Sequence, residues 1–243
     1  MNKKIHIPDR DAVISTPIEV TQTGSTLVLP IIGAVTFAHL LNDSIQAIVT
    51  ASYPMLKAEF SLNFTQIGWI AMVYQLTASL LQPWIGLYTD KHPKPYLLPL
   101  GMVVTLMGIG LMSVAPSFHM LLVSAALIGI GSSTFHPEAS RIARMASGGK
   151  FGTAQSAFQV GGNTGSAIGP LLAAAIIIPY GQHYIGWFML SAALAVWVLW
   201  RVTELLSNLV YGIQAAFSVD CSSSCLPSLK MTLLTTKVNK LNP

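Results

Sequence analysis

His39, Asn42, Asp43 and Gln46 lie inside a long apolar run at a spacing that puts all four on one face of a helix. An aspartate near the middle of a membrane span costs about 2.5–3.5 kcal/mol on insertion scales, so this face is expected to look at a cavity or a neighbouring helix. His39 and Asp43 stand one turn apart and can share a proton or form an ion pair. Such a stripe suits a substrate or proton pathway. The plainer role for the same residues is interhelical hydrogen bonding that only holds a bundle together.

Two more groups carry chemistry. The run Ser132-Ser133-Thr134-Phe135-His136-Pro137-Glu138-Ala139-Ser140-Arg141 holds a titratable imidazole at His136 and a helix-bending proline at Pro137. It also holds Glu138 and Arg141, three residues apart and able to pair locally. Farther along, Gln155, Gln159 and Asn163 recur every fourth residue beside a ridge of Gly161, Gly165 and Gly169, with Pro170 set to bend the helix. Small residues at that spacing let two helix backbones approach closely. No His-Glu-x-x-His or Gly-x-Ser-x-Gly pattern occurs, so nothing in the sequence points to an enzyme, and no cofactor or metal is expected.

The elements that must position these residues are six apolar spans, at about Val28–Tyr53, Phe64–Leu87, Tyr96–Val114, His119–Ala139, Phe151–Ile178 and Tyr184–Trp200. Each is long enough to cross a hydrocarbon core as a helix, and none alternates polar and apolar as a membrane strand does. Charged residues make up only 9% of the chain, well below a soluble protein's share. The expected fold is all-α integral membrane. Its organisation is a cytoplasmic N-terminal segment over 1–27, a six-helix bundle over 28–202 and a divergent cytoplasmic tail over 203–243.

Lys3, Lys4, Arg10, Lys91, Lys94, Arg141, Arg144, Lys150 and Arg201 all fall on one side of the alternating spans, against Lys57 on the other. The positive-inside rule then puts both ends of the bundle in the cytoplasm. The net charge of +4 is thus topological and calls for a lipid bilayer, not nucleic acid. The first residues lack the apolar core of a secretory signal. Cys221 and Cys225 read as free thiols of a reducing compartment. Residues 205–219 are apolar only in part and read as interfacial or disordered, with no seventh span.

Between the second and third spans the chain reads Gly86-Leu87-Tyr88-Thr89-Asp90-Lys91-His92-Pro93-Lys94-Pro95. This resembles the cytoplasmic loop motif of the major facilitator superfamily at Gly86, Asp90, Lys91 and Lys94, with Pro93 and Pro95 where a glycine and a base are usual. The resemblance implies a gating loop in which Asp90 is latched to Arg141 or Arg144, with Glu138 alongside. Gly165-x3-Gly169-Pro170 is similar to the core of the superfamily's antiporter motif, although Ala173 and Ala174 replace its closing glycines. Gly129-Ile130-Gly131 resembles the end of its fourth-helix motif, but the usual arginine position is Ala125. Proton work then falls to His39, Asp43 and His136.

With the Ala38–Asp43 and Phe135–Ala139 runs, the resemblance implies a bacterial inner-membrane exporter. It would use the proton gradient to expel a small anionic phosphonate antibiotic. Members of the superfamily usually have twelve helices in two halves, so six spans imply half a transporter. Such a half would pair with a second half or with itself. The alternative is a membrane fragment that does not transport and only packs against other membrane proteins.

Overall fold

The computed structural model describes residues 27–92, 94 and 96–220, with side chains up to Ser207. Among them every regular element is helical: α1 (Leu29–Ala51), α2 (Tyr53–Glu59), α3 (Phe64–Lys91), α4 (Leu97–Ser113), α5 (Phe118–Met145), α6 (Phe151–Leu172), α7 (Ile178–Tyr180) and α8 (Phe188–Asp220). Local chemistry sets several boundaries. Asn63 caps α3 by accepting from the Gln66 amide at 2.8 Å, while the Gln66 side chain accepts from the Asn63 amide at 2.9 Å. A π-helical turn at Ala173–Ile177 follows Pro170, whose missing N–H loosens the ladder at that end of α6.

Four stretches are both long and apolar enough to cross a bilayer: Leu29–Ala51, Phe118–Met145, Phe151–Tyr180 and Gln182–Ser207. Helix α4 is apolar but has only 17 residues. Helix α3 is long, at 28 residues, but Gln66, Gln75, Gln82 and its charged end dilute its apolar character. Helices therefore occupy all six expected positions, and four of them meet both criteria. The short α2 was not foreseen; it fills the connection after α1.

The last helix extends beyond the sixth expected span. It runs unbroken past Trp200 to Asp220, through residues expected to be interfacial or disordered. Ala192, Ala195, Leu199 and Val202 form one buried stripe, and Leu206 continues it, so the packing that holds the helix does not stop at 202. The Trp200 indole N–H also donates to Glu204 one turn on, at 2.9 Å. The expected N-terminal segment, Leu27 apart, and Cys221 with Cys225 lie outside the described residues.

Three hydrogen bonds report how the helices alternate. The Val28 amide donates to the Ala146 carbonyl at 2.9 Å, so the start of α1 and the end of α5 share one end of the bundle. The buried Gln182 donates to the carbonyls of Met112 and Ala115 at 2.7 and 2.9 Å, which joins the far end of α4 to the turn before α8. Large apolar side chains are exposed around the outside, including Leu80, Trp84 and Leu87 on α3 and Leu190, Leu194 and Trp197 on α8. A surface of that kind needs hydrocarbon around it.

Glycines set how closely the helices pack. A Cβ on Gly161 would strike the Thr36 carbonyl, on Gly165 the Leu40 carbonyl, and on Gly169 the Ala47 side chain, so α6 lies backbone-to-backbone along α1. Gly129 meets α3 at Tyr74, and Gly131 meets α4 at Gly101 and Thr105, which places α5 between them. Gly33 meets nothing. Replacing Gly165 with valine is expected to lower stability by about 1–3 kcal/mol through overpacking. Gly33→Ala should leave the melting temperature unchanged or raise it. Thermal unfolding of both variants in detergent, followed by circular dichroism, checks the contrast.

Candidate functional site

Helices α1 and α5 bring three titratable side chains together. His39 Nε2 lies 3.2 Å from Asp43 Oδ2, and His136 Nε2 lies 3.8 Å from Asp43 Oδ1. Asn42 donates to Asp43 Oδ1 at 3.1 Å. The Gln46 amide nitrogen sits 3.4 Å from both Asp43 Oδ1 and His136 Nε2. Tyr74 of α3 completes the group by donating its hydroxyl to Gln46 Oε1. The stripe expected on α1 is therefore turned inward, with His39 and Asn42 buried and Asp43 and Gln46 partly so.

His39 is the most constrained member. Its Nδ1 is 2.8 Å from the Phe158 carbonyl of α6, and its ring stacks on Phe158 at 4.0 Å between centroids. Gly162 makes room for it, because a Cβ there would run into the imidazole. A carbonyl only accepts, so Nδ1 must carry a hydrogen. Nε2 then faces the carboxylate at 3.2 Å, and that contact is attractive only with a proton between the two. The Gln46 NH2 group has two hydrogens to give, and His136 Nε2 and Asp43 Oδ1 are the acceptors it faces. His39, Asp43 and His136 together offer three metal-ligand atoms within 4.8 Å of one another.

The second polar stripe does not join this cluster. Gln155, Gln159 and Asn163 are exposed on the outer face of α6. Gln159 donates to Asn163 at 3.4 Å, and Gln155 accepts from Ser140 at 3.1 Å. Glu138 is fully buried and takes a 2.9 Å bond from Arg141 one turn along α5. A buried carboxylate needs a compensating charge more than an exposed one does, so Arg141 is held by Glu138, not by Asp90. Asp90 and Lys91 are exposed, and no ion pair reaches Asp90 among the described residues. Arg144 stacks over Phe151 and Lys94 over Tyr88, which also accepts from the Lys94 ammonium at 2.9 Å. A Cβ on Gly86 would lie 3.7 Å from Pro137, so this end of α3 runs beside the proline of α5.

Phe158 is the member that residue patterns did not single out. It contributes a backbone carbonyl, which no side-chain pattern reports.

A bundle of bilayer-length helices with titratable groups enclosed between them is the architecture of a multi-pass membrane transporter. Residues 35–209 match the family described as Major Facilitator Superfamily, and the chain belongs to it. It is 57% identical over 174 residues to the fosmidomycin resistance protein of Escherichia coli K12, covering 72% of this chain and 43% of that one. It is 46% identical over 193 residues to the uncharacterized transporter YfnC of Bacillus subtilis 168, covering 79% and 47%. A more distant relative is the multidrug resistance protein MdtH of Yersinia pestis Pestoides F, 25% identical over 163 residues, covering 60% of this chain and 39% of that one. The chain spans about half the length of these first two curated relatives.

The ion pair on α5 generates a stability test. Arg141→Gln leaves Glu138 buried without its cation and is expected to cost about 3–5 kcal/mol. Glu138→Met combined with Arg141→Leu should recover most of that loss, since apolar replacement of a buried pair is often neutral. Chemical or thermal unfolding of the two variants beside the parent chain measures the difference.

Proposed function

We propose that this bundle works in proton-coupled efflux of a small phosphonate antibiotic of the fosmidomycin type across the bacterial inner membrane, with both ends of the bundle in the cytoplasm. The observation that supports the reading is the partly buried His39–Asp43–His136 cluster, which sets three titratable side chains between apolar spans, where a charge without a task is costly. Loss or gain of a proton there would change the attraction between α1 and α5, the two helices that bear the cluster. The mechanism needs no chemical step on the substrate and no cofactor, because the proton gradient supplies the energy.

Substrate choice is read from the relatives' names and from the donors available. Asn42, Gln46 and Tyr74 lie in the cluster, and Gln159 and Asn163 face outward from α6. Amides and hydroxyls of this kind hydrogen-bond an oxyanion without a fixed positive charge. The exposed stripe of α6 would line a cavity once a second half, or a second copy, covers it. The loop from Gly86 through Asp90, Lys91 and Lys94 would gate the cytoplasmic side. A second reading, a fragment that packs without transporting, is favoured by one fact: the chain spans 43% of the fosmidomycin resistance protein.

Fosmidomycin accumulation in cells making the chain separates the two. Export lowers accumulation, and both a protonophore and Asp43→Asn should return it to the level of cells lacking the chain. Unchanged accumulation, with the protein present in the membrane, favours the packing fragment and removes the transport reading.

A further inference from the structure

The three titratable side chains of the cluster also form a donor set that suits a metal ion. We propose that His39, Asp43 and His136 bind a divalent transition-metal cation of the Zn2+ class through the two Nε2 atoms and a carboxylate oxygen. In a tetrahedral site with ligands 2.0–2.2 Å from the ion, neighbouring ligand atoms are about 3.3 Å apart. Here Nε2 of His39 is 3.2 Å from Asp43 Oδ2, and Nε2 of His136 is 3.8 Å from Asp43 Oδ1. The two contacts use different carboxylate oxygens, and the three residues offer ligand atoms within 4.8 Å of one another, so the side chains draw together when an ion closes the site.

Three further features support a built site. His39 already has the orientation of a metal ligand: its Nδ1–H is spent on the Phe158 carbonyl at 2.8 Å, which fixes the ring and leaves Nε2 aimed at the centre. Gln46 places an NH2 group against Asp43 Oδ1 and His136 Nε2, each at 3.4 Å. Those long bonds have the polarity of a cation's contacts and are weak enough for one to displace. The site is anchored on one side and open on the other, since the side chain of His39 is 3% exposed and that of His136 26%.

Two imidazoles and one carboxylate favour Zn2+, Co2+, Ni2+ or Fe2+ over Mg2+ and Ca2+, which prefer all-oxygen shells. Three protein ligands leave a fourth position for water or an anion. A bound ion would tie α1 to α5 across the line where they meet. This inference concerns binding alone and stands whether or not the chain transports.

The test is titration of the purified, untagged full chain in detergent micelles with Co2+, read by visible absorption, followed by displacement with Zn2+. Expected are the ligand-field bands of a four- or five-coordinate ion at one equivalent, removed by Zn2+. Asp43→Asn and His136→Gln should each weaken binding by about 100-fold, a loss as large as second-shell changes reach in known sites. His119→Gln and His183→Gln, remote from the cluster in sequence, should bind as the parent does. His136 is partly exposed, so His136→Gln is expected to keep its fold, with helicity by circular dichroism as the check. Absence of Co2+ bands in the parent chain would overturn the proposal, and so would unchanged affinity in a folded His136→Gln variant.

Discussion

The close approach of α6 to α1 is the constraint on which the rest of the site depends. Gly161, Gly165 and Gly169 let the two backbones touch, and Gly162 opens the space that the His39 ring fills. Only at that separation can the Phe158 carbonyl reach Nδ1 of His39. That contact orients the ring so that Nε2 faces Asp43. A small-residue seam, commonly a packing device, here positions a side chain of a neighbouring helix.

A bilayer makes such arrangements strict, because polar groups within it must find partners inside the protein. The chain meets this need at three levels. Gln182 satisfies two carbonyls at the end of α4, Glu138 and Arg141 neutralise each other on α5, and the cluster around Asp43 shares its donors among four side chains. The outer face of α6 does the opposite. Gln155, Gln159 and Asn163 stand exposed on it, a face unsuited to lipid.

Much of this was legible in the residues. Periodicity alone predicted that His39, Asn42, Asp43 and Gln46 share a face, and the cost of burying a carboxylate in lipid predicted that the face turns inward. The seam on α6 followed from glycine spacing. What periodicity could not reveal was partner choice. Glu138 and Asp90 were both reasonable partners for Arg141, and burial decided between them: the fully enclosed carboxylate keeps the cation. The extent of the last helix was not legible for a related reason. Asn208, Gly212 and Gln214 weaken local propensity, yet α8 continues, its buried stripe running through Val202 to Leu206.

The sequence by itself therefore determined that this is a helical membrane protein, where its spans lie, and which faces carry polar groups. Those properties depend on hydropathy and on a repeat of 3.6 residues, both local to the chain. Tertiary structure alone decided that His136 meets Asp43, that Tyr74 reaches Gln46, and that a backbone carbonyl of α6 fixes the tautomer of His39. Each of those contacts joins two helices far apart in sequence, and no local pattern encodes the distance between them.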